Sequence, residues 1–350
     1  MCIRDSASFG HPSEFGDVSG SHPSGGADYS HLLDYEAGHI RGNIVNGVWS
    51  VGGSLITARR VFELMSGTQN AALAGNARGA PHNDTEEYNG ATWAVAADMI
   101  NGRGSGVAAG TQNASFFAGG YAAPTYSVPT EDYNGVSFSN IANSTLNTGR
   151  QALGGAGAQN AGLVFGAHPS APKQQTEEWN GTTWSETSDL INGGCNIAGA
   201  GVQNAALATA GLSSTERKSI TEHYDGTSWR VGGTMNIARH YVTSVGTENA
   251  AWSAFGQAPS NSTNTEIYDG AVWSTSGNAI TARSAGGGAG TGAVGLAAGG
   301  YAPSELDSTV HFDGNFQNTG SFGRVEATYI QGDATEISSS LATAYSIKTS

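Results

Sequence analysis

The chain has 350 residues, of which only 13 % are charged, and its formal net charge is −14. Only 15 residues are basic, so the sequence excludes the extended basic surface that binds nucleic-acid phosphates or anionic lipids. Glycine supplies 52 residues, and Ser, Thr, Asn and Ala supply much of the rest, a composition that disfavours long helices and predicts many short strands joined by turns.

Residues 1–42 are polar and turn-rich, and we predict a linker or partial N-terminal segment there. The opening M-C-I-R-D-S resembles translated sequencing-adapter read-through, so residues 1–6 are not taken as native. No secretory signal is found at Met1–Gly10, and no run approaches the ~18 apolar residues of a membrane span. Four histidines in this segment lie 8 to 11 residues apart, without the close pairing of a metal site: His11, His22, His31 and His39.

One short phrase, T-E-E-Y-N-G-A-T-W at Thr85–Trp93, returns along the chain at intervals of 43 to 46 residues. A fixed period of this length is typical of solenoids and β-propellers. Four further copies and two shorter relatives bring the number to seven: Thr130–Phe138, Thr176–Trp184, Thr221–Trp229, Thr265–Trp273, Asn43–Trp49 and Thr309–Phe316.

Each period predicts four strands, labelled a to d in chain order. An Arg precedes strand a, and a Gly seven residues later opens the G-T-Q-N turn into strand b. These pairs are Arg60 and Gly67, Arg103 and Gly110, Arg150 and Gly157, Arg239 and Gly246, and Arg283 and Gly290, whereas Gly194 takes the place of the Arg in one copy. A variable loop leads to strand c at T-E-x-Y. An Asn-Gly or Asp-Gly pair then predicts a hairpin turn into strand d in which both turn residues have positive φ.

Aromatic rings and glycines recur at fixed places in strands c and d. Strand b carries small residues, which suits sheets that converge on a central axis, whereas large rings fit between blades farther out. We therefore interpret the rings as inter-blade core and the glycines as turn residues, at Trp49, Trp93, Phe138, Trp184, Trp229, Trp273, Phe316, Tyr88, Tyr133, Trp179, Tyr224, Tyr268, Gly90, Gly135, Gly181, Gly226, Gly270 and Gly314.

An apolar strand that ends in a Gly pair, followed by a Tyr and then an aromatic ring, resembles the kelch repeat of galactose-oxidase-like propellers. The pattern is clearest in A-G-G-Y at Ala118–Tyr121 and at Ala298–Tyr301, the two copies that keep both glycines. The resemblance covers roughly residues 43–316, and the Asn-Gly-x-x-Trp form is similar to divergent kelch repeats of phage and environmental proteins. It implies an all-β, kelch-like propeller of four-stranded blades.

The number of blades is open, because seven c–d hairpins stand beside six clear a–b units. We prefer seven blades, with a mixed blade that takes strands a and b from 325–342 and strands c and d from 43–52, so that both chain ends close the ring. The alternative is six blades with a spare N-terminal hairpin. Residues 317–350 either close the ring or lead into a shaft-like segment, since Phe322–Ile337 resembles segments of phage tail fibres.

The residues favour no catalytic centre, metal site or cofactor. Paired carboxylates do the work in glycosidases, but one strand-c glutamate per blade indicates a structural partner for the repeat Arg or for a backbone N–H, at Glu86, Glu131, Glu177, Glu222 and Glu266. Copper-radical chemistry of the galactose-oxidase type needs histidine ligands, and Cys195 has no His within twenty residues. The phosphate-cradle string at Gly290–Gly295 has no helix pattern after it.

Function in a repeat scaffold is expected where the repeats disagree, which is in the loops between strands b and c. We predict a ligand-binding face there, at Arg78, His82, Tyr121, Tyr126, His168, Lys173, Arg217 and Tyr301. The sequence favours a non-enzymatic module of a phage or virion appendage, located on the virion or an extracellular surface, that binds a glycan or protein receptor and associates with other virion proteins. We expect no nucleic-acid partner and no membrane insertion. A carbohydrate-active or oxidising enzyme and a cellular protein-interaction module are the alternatives.

Overall fold

The computed structural model describes residues 33–36, 39–42, 47–60, 63–75, 83–126, 128–168, 174–213 and 216–314. The chain divides into two compact units, Met1–Ile44 with Gln317–Ser350, and Val45–Phe316. In the first unit the described residues form an antiparallel hairpin of β1 (Leu33–Glu36) and β2 (His39–Gly42). The composition of this segment predicts only a linker.

The second unit is an all-β propeller of six four-stranded antiparallel blades. In the described part of the chain, no segment forms a helix of the length and apolar character that a membrane crossing requires. The fold class is therefore confirmed, with the number of blades that the sequence analysis gave as the alternative.

The strands follow the predicted order a to d within each blade. The first strand of the unit, β3 (Val48–Val51), belongs to the last blade. Blade 1 contains β4 (Met65–Thr68), β5 (Ala71–Ala74), β6 (Glu86–Tyr88) and β7 (Trp93–Val95); blade 2 contains β8 (Val107–Thr111), β9 (Ala114–Ala118), β10 (Glu131–Tyr133) and β11 (Phe138–Asn140); blade 3 contains β12 (Gly154–Ala158), β13 (Ala161–Phe165), β14 (Thr176–Trp179) and β15 (Trp184–Glu186).

Blade 4 contains β16 (Ala198–Val202), β17 (Ala205–Thr209), β18 (Thr221–Tyr224) and β19 (Trp229–Val231); blade 5 contains β20 (Thr243–Thr247), β21 (Ala250–Ala254), β22 (Thr265–Tyr268) and β23 (Trp273–Thr275). Blade 6 contains β24 (Gly287–Gly290), β25 (Val294–Ala298), β28 (Thr309–Asp313) and β3, and its b–c loop holds the short pair β26 (Tyr301–Ala302) and β27 (Ser304–Glu305).

Blade 6 is built from both ends of the propeller. Its strand c, β28, pairs with β25 on one side and with β3 on the other, where Phe312 lies opposite Trp49. Closure by strands from both chain ends is confirmed, but the preferred count of seven blades was wrong. The two shorter relatives of the repeated phrase are the c half and the d half of one blade, separated by the whole ring. Residues 325–342, assigned to the seventh blade, lie outside the described residues.

The turn between strands c and d differs from the predicted one. In blade 1 four residues, Asn89–Thr92, connect the two strands. The side-chain oxygen of Asn89 accepts hydrogen bonds of 2.9 Å from the backbone N–H groups of Ala91 and Thr92, and Gly90 has a φ of +94°. The prediction that both turn residues have positive φ was wrong, because a four-residue connection needs only the glycine in that conformation.

Gly314 has no such turn role, because strand d of blade 6 comes from the N-terminal side of the unit. Phe316, predicted as inter-blade core, lies outside the described residues.

Tryptophans in strand d connect neighbouring blades. Trp184 in blade 3 donates its indole N–H to Thr130 Oγ1 in blade 2 at 2.8 Å. The same bond, at 2.8 to 3.0 Å, joins Trp49 to Thr265, Trp93 to Thr309, Trp229 to Thr176 and Trp273 to Thr221. At the boundary of blades 1 and 2, Phe138 replaces the tryptophan and has no N–H to donate to Thr85.

A buried ion pair links the start of strand a to strand c. In blade 2 the guanidinium of Arg103 contacts the carboxylate of Glu131 at 2.5 Å, and both side chains are 0 % exposed. Glu131 also accepts hydrogen bonds from the backbone N–H groups of Ile100 and Asn101. The equivalent pairs are Arg59–Glu86, Arg150–Glu177 and Arg239–Glu266.

In blade 1 the arginine of the ion pair is Arg59, one residue earlier than the seven-residue spacing predicts. Arg60, the predicted repeat residue, instead places its guanidinium 3.9 Å from the ring centroid of Tyr301. The seven-residue spacing predicted the wrong arginine because one additional residue separates Arg59 from Gly67.

Two blades each lack one partner of this pair. Blade 4 keeps Glu222 but has Gly194 in place of the arginine, and blade 6 keeps Arg283 but has Val310 in place of the glutamate. Burial lowers the pKa of Arg283 to about 10. In blade 4 the ammonium of Lys218 donates hydrogen bonds to the carbonyls of Asn192 and Gly193.

The glutamine of the G-T-Q-N turn adds a second inter-blade contact, which the sequence analysis missed. Gln112 Nε2 donates to the carbonyls of Ala72 and Tyr88 in the preceding blade, at 3.1 and 2.8 Å. Gln203, two blades further along the ring, donates in the same way to the carbonyls of Gly162 and Trp179 in blade 3. Turn residues therefore hold the blades together as well as reversing the chain.

The substitution Phe138→Trp should stabilise the propeller, because it supplies the indole N–H that Thr85 Oγ1 lacks. We expect a gain of about 1 kcal/mol, the usual net value of a buried hydrogen bond, in the free energy of unfolding measured with urea. The reverse substitution Trp184→Phe is the control and should destabilise by at least as much. A Phe138→Trp protein that is less stable than the parent would contradict this account of the blade boundaries.

Removing Glu131 should cost more than removing Glu222, although both carboxylates bind two backbone N–H groups. Glu131→Ala leaves the buried Arg103 without a counter-charge, which typically costs about 3 to 5 kcal/mol. Glu222→Ala leaves no orphaned guanidinium, so we expect a clearly smaller loss. Urea denaturation of both variants measures the difference, and equal losses would show that the ion pair contributes nothing.

Candidate functional site

The two faces of the propeller differ in sequence. One face carries the b–c loops and the d–a connections, and we call it the variable face. The opposite face carries the a–b and c–d turns, and we call it the turn face. The strands a of successive blades are neighbours all around the ring, including those of blades 6 and 1, so their first residues converge on the central axis at the variable face.

Six residues surround the central opening at the variable face, and we call them the mouth ring. Each stands two residues before strand a and has a φ between +53° and +58°: Glu63, Ser105, Ala152, Asn196, Tyr241 and Ala285. Left-handed backbone costs about 1 to 3 kcal/mol at a non-glycine residue and persists only where the surroundings enforce it. None of these residues is a glycine.

Backbone hydrogen bonds between blades enforce the left-handed conformation. In blades 3 to 6, the ring N–H donates to the carbonyl of the ring residue in the preceding blade: Ala152 to Ser105 at 2.7 Å, Asn196 to Ala152 at 3.0 Å, Tyr241 to Asn196 at 3.3 Å and Ala285 to Tyr241 at 3.0 Å. The blades are thereby fixed in register at the mouth.

A second circle of contacts surrounds the mouth ring. In blades 2 to 6 the residue before the ring residue forms a β-bridge with the start of the b–c loop in the same blade: Gly104 with Tyr121, Gln151 with His168, Cys195 with Leu212, His240 with Gln257, and Ser284 with Tyr301. Three predicted ligand residues, Tyr121, His168 and Tyr301, therefore hold equivalent positions in different blades. The structure places them on one face but does not gather them into one cluster.

The predicted tyrosines make local aromatic contacts. The rings of Tyr121 and Tyr126 lie 4.9 Å apart within the b–c loop of blade 2. Tyr301 lies under the guanidinium of Arg60, whose Nε is 3.8 Å from a Glu305 carboxylate oxygen. Each tyrosine therefore presents a supported ring on the variable face.

His168 and Arg217 are exposed on the same face, and Arg217 forms a β-bridge with Leu212. Arg78, His82 and Lys173 lie outside the described residues.

Glu63 lies inside the central channel rather than beside it. Its Oε2 accepts a hydrogen bond of 3.4 Å from the backbone N–H of Gly199, in strand a of blade 4 on the far side of the ring. Burial raises the pKa of Glu63 well above its usual range, while hydrogen bonds from Gly199 and Gly155 act in the opposite direction. A carboxylate from blade 1 thus faces the inner strands of blades 3 and 4.

Three residues of the variable face were missed by the sequence analysis: Asn196, His240 and Tyr241. They lie in the d–a connections of blades 4 and 5, whereas only the b–c loops were searched for ligand residues. The available signal was their place in the repeat, one or two residues after the position of the repeat Arg, which is Gly194 in blade 4; blades 2, 3 and 6 carry Gly, Gln, Ser or Ala there.

Metal-ligating residues are scattered. Within the described ranges, no group of three or more His, Cys, Asp or Glu side chains could hold a metal ion. Cys195 is buried as a free thiol, and burial raises its pKa, which lowers its reactivity as a nucleophile.

The fold and its two unlike faces define the class of the protein, a six-bladed β-propeller with one variable face. Comparison with protein-family models finds no match, and comparison with curated proteins finds none either.

The substitution Glu63→Gln should change how stability depends on pH. The raised pKa of Glu63 means that the folded state binds a proton more tightly than the unfolded state, so this residue adds stability as the pH falls through the folded pKa towards the unfolded value. The Glu63→Gln protein should be more stable than the parent at pH 7. This difference in the free energy of unfolding should shrink between pH 7 and pH 5, because Glu63 of the parent takes up its proton.

Thermal unfolding of both proteins at the two pH values tests this prediction. Asp132, whose pKa burial raises to about 6, contributes equally to both proteins and cancels in the comparison. Identical pH profiles would show that Glu63 is solvated in the channel.

Proposed function

We propose that the protein is a non-enzymatic binding module of a virion appendage and that its variable face binds a receptor, in the first place a glycan. The observation that carries this proposal is the contrast between the faces. The variable face presents different side chains in every blade on a rigid ring of backbone bonds, and binding sites commonly lie on variable loops held by a rigid scaffold.

The turn face offers little to a ligand because its polar groups bind one another. The Asn or Asp of each c–d turn uses its side-chain oxygen on two backbone N–H groups of its own turn, as Asn134 does with Val136 and Ser137. On the variable face, by contrast, the paired rings of Tyr121 and Tyr126 form the kind of aromatic surface that packs against sugar rings.

The proposal of a protein without enzymatic activity is supported by the state of the strand-c glutamates. Glu131 and its equivalents are buried and bound to arginine or to backbone N–H groups, so they are not free for acid–base chemistry.

Three features of the sequence support the virion assignment. They are the kelch-like form of the repeat, the presence of only three lysines in 350 residues, and the resemblance of Phe322–Ile337 to tail-fibre segments. Tail-assembly genes beside the coding sequence would support it further.

A glycan array probed with the purified full chain tests the proposal. We expect binding to a subset of glycans, and we expect Tyr121→Ala combined with Tyr126→Ala to weaken it about tenfold or more, as for aromatic residues at the centre of an interface. Val136→Ser is the matched control, because Val136 is 79 % exposed on the turn face; it should bind like the parent.

Three outcomes would overturn the proposal. They are an absence of binding to any glycan, loss of binding in the turn-face variant alone, and turnover of a bound polysaccharide. The last outcome would favour the carbohydrate-active alternative.

A further inference from the structure

Blades 4 and 5 place four residues on adjoining segments of the variable face: Asn196, Arg217, His240 and Tyr241. In blade 4, Leu212 forms bridges with both Cys195 and Arg217, so the d–a connection and both arms of the b–c loop lie side by side. Asn196 follows Cys195, and its carbonyl accepts the Tyr241 N–H from blade 5. The two blades thus meet in the mouth ring itself.

Two of these side chains carry buried polar atoms without a partner among the described residues. Asn196 is 6 % exposed, and its amide nitrogen contacts the sulfur of Cys195 at 3.6 Å, while its Oδ1 has no partner. His240 is 7 % exposed, and its Nδ1 has no partner either. Such atoms cost about 1 to 3 kcal/mol when left unpaired, and in native structures they call for a water, an ion or a ligand.

The protonation of these atoms indicates which groups they bind. Burial lowers the pKa of His240, and so does the neighbouring Arg217, while a hydrogen bond with the backbone of Gln257 acts in the opposite direction; the net shift is downward, so the ring is neutral at neutral pH. The amide oxygen of Asn196 only accepts hydrogen bonds, and Nδ1 of a neutral imidazole accepts or donates according to its tautomer. A hydroxyl group satisfies both atoms, because it donates and accepts.

Arg217 adds a positive charge to the rim of this site. Its side chain is exposed, yet it lies close enough to His240 to lower the pKa of that ring. No described residue forms an ion pair with it, in contrast to Arg230 on strand d of the same blade, which contacts Glu248 at 2.7 Å. A guanidinium binds a carboxylate through two parallel N–H groups.

Tyr241 completes the site with a flat surface. Its ring lies 4.8 Å from that of His240 at an angle of 40°, and aromatic faces pack against the C–H groups of sugar rings. Acceptors for hydroxyl groups, a cation and an aromatic ring thus lie on adjoining segments of blades 4 and 5 at the variable face.

We propose that this site binds an acidic sugar, with hydroxyl groups at Asn196 and His240, the carboxylate at Arg217 and the sugar ring against Tyr241. The inference rests on the proposed function, since it names the class of glycan that the variable face takes. The carboxylate of the sugar, which Arg217 would bind, distinguishes this proposal from the binding of a neutral sugar.

Calorimetry with the full chain tests the inference. The probes are a glucuronic-acid-terminated oligosaccharide and a galacturonic-acid-terminated one, each beside its neutral hexose counterpart. We expect the parent protein to bind at least one acidic probe about tenfold or more tightly than its counterpart. Arg217→Gln should abolish this preference, and Arg217→Lys should restore part of it.

Asn196→Gly and Arg230→Gln complete the series. Asn196→Gly preserves the left-handed backbone and removes the amide, so it should weaken acidic and neutral probes alike. Arg230→Gln makes the same change of charge outside the site and should bind as the parent does. Circular dichroism and thermal unfolding confirm that each variant is folded.

Equal binding of acidic and neutral probes by the parent, or an acidic preference that survives Arg217→Gln, would overturn the inference. The proposed function would stand in either case, because a glycan still binds. Failure of every glycan on the array would instead overturn the proposed function, and this inference with it.

Discussion

The pairing of β3 with β28 is the contact on which the ring depends. Without it, blade 6 would end in the unpaired edge of β28, and Trp49 would not be held beside Thr265 of blade 5. Trp93 in blade 1 donates to Thr309, the first residue of β28, so the strand that β3 completes also contacts the first blade. A closed ring leaves only the outer strand of each blade as an edge.

Within the ring, the blades share one internal support and differ in how completely they keep it. Four blades pair a buried arginine with a buried glutamate, whereas blade 4 keeps only the glutamate and blade 6 only the arginine. Lys218 supports the d–a connection of blade 4 from another direction. A single lost ion pair is tolerated because its neighbours are also held by tryptophan and glutamine bonds from the adjoining blades.

The variable face follows from the same constraint. Ring closure forces the first residues of the strands a together, and inter-blade backbone bonds link five of the six left-handed, non-glycine residues. That arrangement fixes the side chains of Asn196 and Tyr241 at the mouth, and it lets unlike residues occupy equivalent positions without disturbing the fold. A rigid ring with variable side chains can change the chemistry of this face by substitution alone.

The sequence by itself determined the blade, because everything inside one blade is encoded within one period. The four strands, the turn that needs Gly90, and the place of Trp184 beside the next blade all follow from local spacing. So does the choice of the variable face, since Tyr121, His168 and Arg217 stand where the copies disagree.

Only the tertiary structure decided the number of blades and the composition of the site. Val48–Val51 and Thr309–Asp313 look like two repeats in the chain, and they become one blade only when the ring closes. Asn196 contacts Tyr241 across the blade boundary and lies apart from Tyr121. Both facts depend on which blades are neighbours. Period and turn chemistry act over a few residues, whereas closure depends on the angle between successive blades, which no single repeat contains.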